Sequence, residues 1–320
     1  MNNVPTIPGR DVPGRPRTGF TLVECLVAVS IIGLLAAILV PAVMSARRMA
    51  LRVQCLNNLR QIGVGLTNYA ATFDAYPPGS AHGNSVHVSI LPFLEQRALY
   101  AALNFARETE SLQNATVMSA VIDGYLCPAD VRYPVELGDW SWTSYAGNGG
   151  VNGLWRSGHN DNGAFDPGGG VVRFQAFVDG TSRTALMSEW RLGTYESADR
   201  DPRRSVFSVT SPDEPEPLAE FAARCRDVDV ASAPVTRFRT GMDWTSGQFG
   251  KSLYTHAVGP NGHSCKGDYD AWTAGGWHVG GAHVVFADCS ARFVRDGIAP
   301  HVWLALGTRD GGEIVSDDAY

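Results

Sequence analysis

Charge is scarce in this sequence, and several chemical signatures are missing from it. Of 320 residues, 18% are Asp, Glu, Lys or Arg, and the formal balance is only −6. No basic patch follows Arg60, which removes nucleic acid from the expected partners. The six cysteines include no C-x-x-C pair, so neither a zinc ribbon nor a thioredoxin-like centre is expected. There is no G-x-S-x-G elbow, no H-E-x-x-H, no P-loop and no G-x-G-x-x-G leading into a helix. These absences remove the commonest signatures of hydrolases, metalloproteases and nucleotide enzymes. No catalytic residue is expected, and internal repeats and low-complexity tracts are missing too.

What is present is apolar and rich in glycine. Apolar residues make up 44% and glycines number 35, a mix that suits a loop-rich, β-containing extracytoplasmic domain. The length fits two domains, or one large domain with an extended element.

The first 18 residues are polar and rich in Pro and Gly, with Arg10, Arg15 and Arg17 against Asp11. From Phe20 to Val43 the only ionisable side chains are Glu24 and the Cys25 thiol. That run of 24 residues exceeds the roughly 20 needed to cross a bilayer as a helix. Arg47, Arg48 and Arg52 follow it, so both flanks are positive and the positive-inside rule does not orient it. A secretory signal would have an apolar region of about 7–15 residues and an A-x-A-like site, and this run is longer and lacks one. A plain anchor fits the length but not Glu24, because an intramembrane carboxylate implies a function and a partner. Pro41 removes a backbone donor and is expected to kink or locally melt the helix.

Beyond the span, apolar residues recur at Leu56, Leu59, Ile62, Leu66, Tyr69 and Phe73, in steps of three or four. Arg47, Arg48, Arg52, Asn57, Asn58 and Arg60 suit the solvated side, while Gly63 and Gly65 weaken the helix. One helix over 20–73 would reach roughly 80 Å, with 20–43 transmembrane and 44–73 amphipathic, and Asp74 to Gly79 would end it. Further on, "AHVVFAD", "DCS" and "ARFVRDG" read as strand, turn and strand. "GVVRFQAFVDGTSRTALMSEW" reads the same way, with Asp179-Gly180 as its turn. "TSYAGNGG" reads as a loop, and about 197–234 as a surface insertion. The fold class is therefore α+β: a long N-terminal helix packed on a mostly antiparallel sheet, with the head spanning 74–320.

Cys25 falls in the apolar segment and counts as a small hydrophobe. Cys55, Cys127, Cys225, Cys265 and Cys289 lie in a domain expected outside the cytoplasm, where disulfides persist. Five is odd, so one thiol stays free or pairs between chains, and the connectivity is open. His278, His283 and Asp288 are spaced at fives and make a conceivable metal site. The reading preferred is that His278 bonds a loop, His283 is a strand residue and Asp288 caps a hairpin turn. His256, His263 and Asp268 form a looser cluster. "HNDNG" at 159–163 resembles a Ca²⁺ loop but lacks EF-hand alternation. Trp140 and Trp142 read as sheet packing before a sugar groove. No metal or other cofactor is expected, with Ca²⁺ as the alternative.

The opening residues also carry a resemblance. Gly19-Phe20-Thr21-Leu22-Val23-Glu24, directly before an apolar helix, resembles the cleavage and methylation motif of type IV prepilins and type II secretion pseudopilins. The resemblance implies a leader over 1–19, cleavage between Gly19 and Phe20 by prepilin peptidase, and N-methylation of Phe20. It gives Glu24, fifth in the mature chain, and Pro41 roles in assembly. Glu24 would neutralise the new α-amine one turn away, or that of a neighbouring subunit.

A second resemblance spans nearly all of the mature chain. Cys55-Leu56-Asn57-Asn58-Leu59-Arg60-Gln61-Ile62-Gly63, Tyr76-Pro77-Pro78-Gly79, Leu91-Pro92-Phe93-Leu94-Glu95-Gln96 and Cys127-Pro128-Ala129-Asp130 are similar to DUF1559, a domain family of unknown function found fused to prepilin-like N-termini. His278 and Asp288 stand as in that family's C-terminal H-X9-DG element, with Cys289 where its glycine is usual. A tight glycine turn is thus not expected at 289; an added disulfide or a free thiol is.

The two resemblances imply a pilin-like or pseudopilin-like structural protein, not an enzyme. It would be a single-pass protein of the cytoplasmic membrane with its head outside, or part of a periplasmic or surface filament. Its partners would be prepilin peptidase, other pilin-like subunits and the membrane. The rival reading is a membrane-tethered binding protein, for instance for glycans, that uses the route only for export.

Overall fold

The computed structural model describes residues 19, 21–107, 109–130, 140–151, 162–194, 200–210, 216–236, 238–267, 269–316 and 320. Two compact units divide the chain, Met1–Met49 and Ala50–Tyr320. Helix α1, Leu22–Phe73, belongs to both and is unbroken at Pro41, so the proline does not melt it.

In the first unit every described residue is exposed, including Leu26, Ile31, Ile32, Leu35 and Leu39. Such a contiguous apolar surface demands a membrane or a partner helix. The helix is long and apolar enough to cross a bilayer, with a mean hydropathy of 2.8 in its most apolar window.

In the second unit the remainder of α1 lies in the main core. Cys55, Leu59, Ile62, Leu66 and Ala70 are buried there with Leu186, Met187 and Val285. The expected face is therefore right in its centre and wrong at its ends: Leu56 is only half-buried and Phe73 is exposed. Arg52 is not fully solvated either, since its guanidinium lies 3.9 Å from the centre of the Phe293 ring. Gly63 has a packing reason, because a Cβ there would sit 2.9 Å from Val285 Cγ2. The helix propensity lost at this glycine permits close contact with the sheet.

The strands are short: β1 (Ser80–Ala81), β2 (Asn84–Ser85), β3 (Tyr145–Asn148), β4 (Ala185–Glu189), β5 (Val206–Ser208), β6 (Val235–Thr236), β7 (Leu253–Tyr254), β8 (Ser264–Lys266), β9 (Asp270–Ala271), β10 (Gly281–Phe286) and β11 (Ala291–Arg295). The five-stranded sheet runs β11-β10-β4-β3-β7, and only its β3–β7 pair is parallel. The β10–β11 hairpin is the one read from the sequence, with His283 opposite Phe293.

Three other expectations fail. "TSYAGNGG" is not a loop: its Tyr145–Asn148 is a fully buried strand inside the sheet. Gly147 lacks strand propensity, but a Cβ would meet Phe165 at 2.9 Å and Leu253 at 3.1 Å, so packing selects the residue. The first half of the 170–190 segment is not a strand. Val172 makes one bridge to Tyr76, and Phe174–Ala176 is a 3-10 turn. Its aromatics are used on Tyr76 instead, with the Phe174 and Phe177 rings each 5.3 Å from it.

The third failure is the surface insertion. Within 197–234 lie β5 and the helix Leu218–Arg226, and β5 pairs parallel with β8 in a second sheet, β6-β5-β8-β9. Phe207, Phe221, Ala222, Cys225 and Cys265 form a core of their own there, joined by the Cys225–Cys265 disulfide. The polar sequence around these few apolar residues concealed a small covalently stapled layer.

Candidate functional site

The segment expected to be processed includes Gly19, where an added Cβ would meet nothing within 4 Å. Phe20 lies outside the described residues. Thr21 and Glu24 form a reciprocal cap at the start of α1. The Thr21 backbone N–H and hydroxyl both donate to Glu24 Oε2 at 2.8 Å, and the Glu24 N–H donates to Thr21 Oγ1 at 3.2 Å. This is a capping box, two orphan donors satisfied by one pair of side chains. The T-x-x-E spacing was present in the sequence as a signal for it. Glu24 thus also starts the helix whose apolar face it interrupts.

The other concentration of chemistry lies in the core. Glu189 ends β4, and the buried His283 of β10 reaches it from the neighbouring strand. Glu189 Oε2 accepts from the His283 backbone N–H at 2.9 Å and from its Nδ1 at 3.0 Å. Glu189 Oε1 lies 3.5 Å from His278 Nε2 and has no hydrogen-bond partner. His278 Nε2 is in turn 3.8 Å from Cys127 Sγ, and Cys127 is disulfide-bonded to Cys55. Burial pushes the Glu189 carboxyl up, but the adjoining His278 and His283 side chains outweigh it and hold the group below its ordinary value. The backbone is fixed too: Tyr145 Oη donates to the Cys55 carbonyl at 2.9 Å, and Asn58 Nδ2 to the Leu126 carbonyl at 3.0 Å.

Of the expected trio, His278 and His283 therefore converge, but on Glu189. Asp288 stays in its turn, where Oδ1 accepts from the Ser290 N–H at 2.8 Å. Glu189 was missed because "ALMSE" reads as core strand; a lone carboxylate closing such a strand was the available signal. Cys289 forms no disulfide and remains a thiol, as does Cys25. Yet Cys289 has φ +65°, so the tight left-handed turn persists without glycine. Its thiol donates to the Gly63 carbonyl at 3.3 Å, which ties the hairpin to α1.

The looser candidates disperse. His256 Nδ1 donates to the Trp303 carbonyl at 2.8 Å, while His263 Nδ1 is 3.0 Å from the Pro202 carbonyl. Asp268 and residues 159–161 lie outside the described residues. Of the "HNDNG" loop, the Gly163 carbonyl accepts from Arg309 Nη1 at 2.6 Å and the Asn162 carbonyl from the Arg309 N–H at 2.9 Å. Trp140 faces Lys251 Nζ at 5.2 Å, and Trp142 bridges Met242.

Comparison with known families accounts for both halves. Residues 44–301 match the family described as protein of unknown function (DUF1559), and residues 14–40 match the prokaryotic N-terminal methylation motif. Neither the curated proteins nor the solved structures yielded a match. With more than half of its length covered by one family, the chain belongs to DUF1559, and it carries the prokaryotic N-terminal methylation motif at its start.

Proposed function

We propose that this chain is a pilin-like structural protein. Prepilin peptidase cuts it after Gly19, Phe20 is N-methylated, and α1 holds it in the cytoplasmic membrane with the head outside. From there it assembles with other pilin-like subunits through the same helix. The observation that carries this reading is the methylation motif over 14–40 continuous with an exposed apolar helix that opens on Glu24. Neither family is a known enzyme family, which supports a structural role over a catalytic one.

The test is mass spectrometry of the N-terminal peptide of the membrane-extracted protein. A peptide beginning at N-methylated Phe20 is expected; a retained Met1 or a cut near Ala46 would refute the reading. In Gly19→Ala the processed peptide should disappear completely. Because nothing crowds Gly19, the head will fold as before, and the defect will belong to the peptidase.

Glu24 separates helix capping from subunit pairing. Glu24→Gln keeps a capping side chain at this position but loses the charge. Insertion should be normal while filament yield falls. Each lost pair of ~1.4 kcal/mol weakens subunit association about tenfold. Normal chain-to-chain crosslinking along the helix in Glu24→Gln would remove the pairing role.

The tethered binding protein draws on one feature, a groove of about 600 Å³ lined by Tyr69, Phe73, Phe93, Tyr100 and Phe105. Aromatic faces in a cleft suit a sugar or a peptide side chain.

A further inference from the structure

We propose that, in its dithiol state, the Cys55–Cys127 pair forms a four-ligand Zn²⁺ site with His278 and Glu189. Cys55, Cys127, Glu189 and His278 are all buried, and one ligand atom from each lies within 4.8 Å of all the others. Two thiolates, an imidazole and a carboxylate are a donor set that zinc takes in tetrahedral geometry, at about 2.3 Å to sulfur and 2.0–2.2 Å to nitrogen or oxygen. Ligands at those lengths stand roughly 3.5 Å apart, close to the 3.5 Å between His278 Nε2 and Glu189 Oε1 and the 3.8 Å between His278 Nε2 and Cys127 Sγ.

The surroundings supply what a metal site needs beyond its ligands. Glu189 Oε2 is occupied by His283, through backbone N–H and Nδ1, so His283 orients the carboxylate without binding the ion. That leaves Oε1, buried and without a hydrogen bond, facing His278 and the sulfurs. A buried carboxylate oxygen with no partner is costly unless something fills its place, and a cation between Oε1, Nε2 and two sulfurs would do so. Hydrogen bonds that do not involve the sulfurs hold the backbone beside both cysteines, from Tyr145 Oη to the Cys55 carbonyl and from Asn58 Nδ2 to the carbonyl of Leu126, the neighbour of Cys127. The other disulfide, Cys225–Cys265, has no part in this cluster, the one such group among the described residues.

The site is one of two exclusive uses of the same sulfurs. A phosphine reductant donates two electrons to the Sγ–Sγ bond and is itself oxidised to its oxide, whose oxygen comes from water. The two thiols so formed lose their protons as they bind Zn²⁺. The reverse passage is thiol–disulfide exchange with an oxidised small-molecule disulfide: the Sγ–Sγ bond re-forms, the added disulfide takes the two electrons and leaves as two thiols, and the ion is released. A chain whose cysteines are not yet oxidised would therefore hold its α1–Cys127 junction through zinc and later through the covalent bond.

The experiment uses the full chain, reduced anaerobically with a phosphine and titrated with Zn²⁺ and, separately, with Co²⁺. One tightly held zinc per chain after gel filtration is expected, measured by mass spectrometry of the metal. The Co²⁺ form should show thiolate-to-metal charge transfer and the strong visible bands of tetrahedral coordination. The Cys225→Ser/Cys265→Ser variant should keep both signals, whereas Cys55→Ser/Cys127→Ser should lose them. His278→Ala, which leaves every thiol in place, should weaken binding at least tenfold, and circular dichroism will show whether each variant is folded. Zinc bound equally by Cys55→Ser/Cys127→Ser, zinc affinity unchanged in His278→Ala, or no zinc retained by the folded reduced chain would each overturn the site.

Discussion

Lowering the pH from about 6.5 to 3 is expected to unfold the head, and two buried histidines supply most of the drive. His87 and His256 are fully buried, and burial lowers their pKa from 6.5 to about 4 and about 3. His87 Nε2 donates to the Tyr145 carbonyl at 2.9 Å, while its Nδ1 has no partner. His256 donates from Nδ1 to Trp303, accepts from Tyr254 Oη at Nε2 (2.8 Å), and stacks on the Trp303 ring at 4.0 Å. A second proton on either ring would be buried with no acceptor in place to receive it. The unfolded chain protonates them below about 6.5 and the folded chain does not, so stability falls with pH across that interval. At 1.36 kcal/mol per unit, the losses are roughly 3 kcal/mol for His87 and roughly 5 for His256. Together they match the whole stability of an ordinary domain, about 5–15 kcal/mol.

Glu189 adds to this at the acid end. Its folded pKa is lowered, so its contribution is present above the unfolded value and lost as pH falls through the folded one. Thermal melting of the chain followed from pH 7 downward is the check. A steady fall in Tm below pH 6.5 is expected; a Tm flat to pH 4 would show that these rings are not held neutral.

The second large effect is the loss of the Cys55–Cys127 disulfide. Its 72-residue separation corresponds to about 4 kcal/mol of unfolded-chain entropy. For a head of this size, that is a fall of about 8–16 °C in Tm for Cys55→Ala/Cys127→Ala. Cys225→Ala/Cys265→Ala, with a separation of 40, loses nearly the same loop term. The two should nonetheless unfold differently. Proteolysis should strike first at the second sheet when Cys225–Cys265 is missing, and around Leu126 when Cys55–Cys127 is missing. Variants as stable as the parent chain would mean that tertiary packing alone fixes these segments.

Much of the architecture was legible because it rests on period and local motif. The 52-residue helix, its buried stripe at Leu59, Ile62 and Leu66, and the hairpin around Asp288 all follow from spacing that a single stretch of chain displays. What was not legible depends on pairing between distant segments. Tyr145–Asn148 looks like a loop because Gly147 and Asn148 are poor strand formers. Parallel pairing with Leu253–Tyr254 and hydrogen bonds from Asn148 Nδ2 to Ala185 and Gly307 override that preference. The candidate site divides in the same way. The methylation motif that holds Gly19 and Glu24 is contiguous and legible in a single stretch of chain. Glu189 was not, since it lies 89 residues from His278 and reveals its role only when β4 and β10 are side by side.

The position of Cys55 has a mechanical consequence. Pulling on the chain from the Met1–Met49 side delivers tension to the second unit through α1, and Cys55 is the first fully buried residue that this tension meets. The bridge at that point passes the load directly into the segment at Cys127. The helix from Leu56 to Phe73 is then relieved of it, and its non-covalent contacts need not resist peeling turn by turn. A head anchored in this way should endure drag or shear at its tether for as long as one covalent bond remains closed, and should begin to unravel from α1 once it opens.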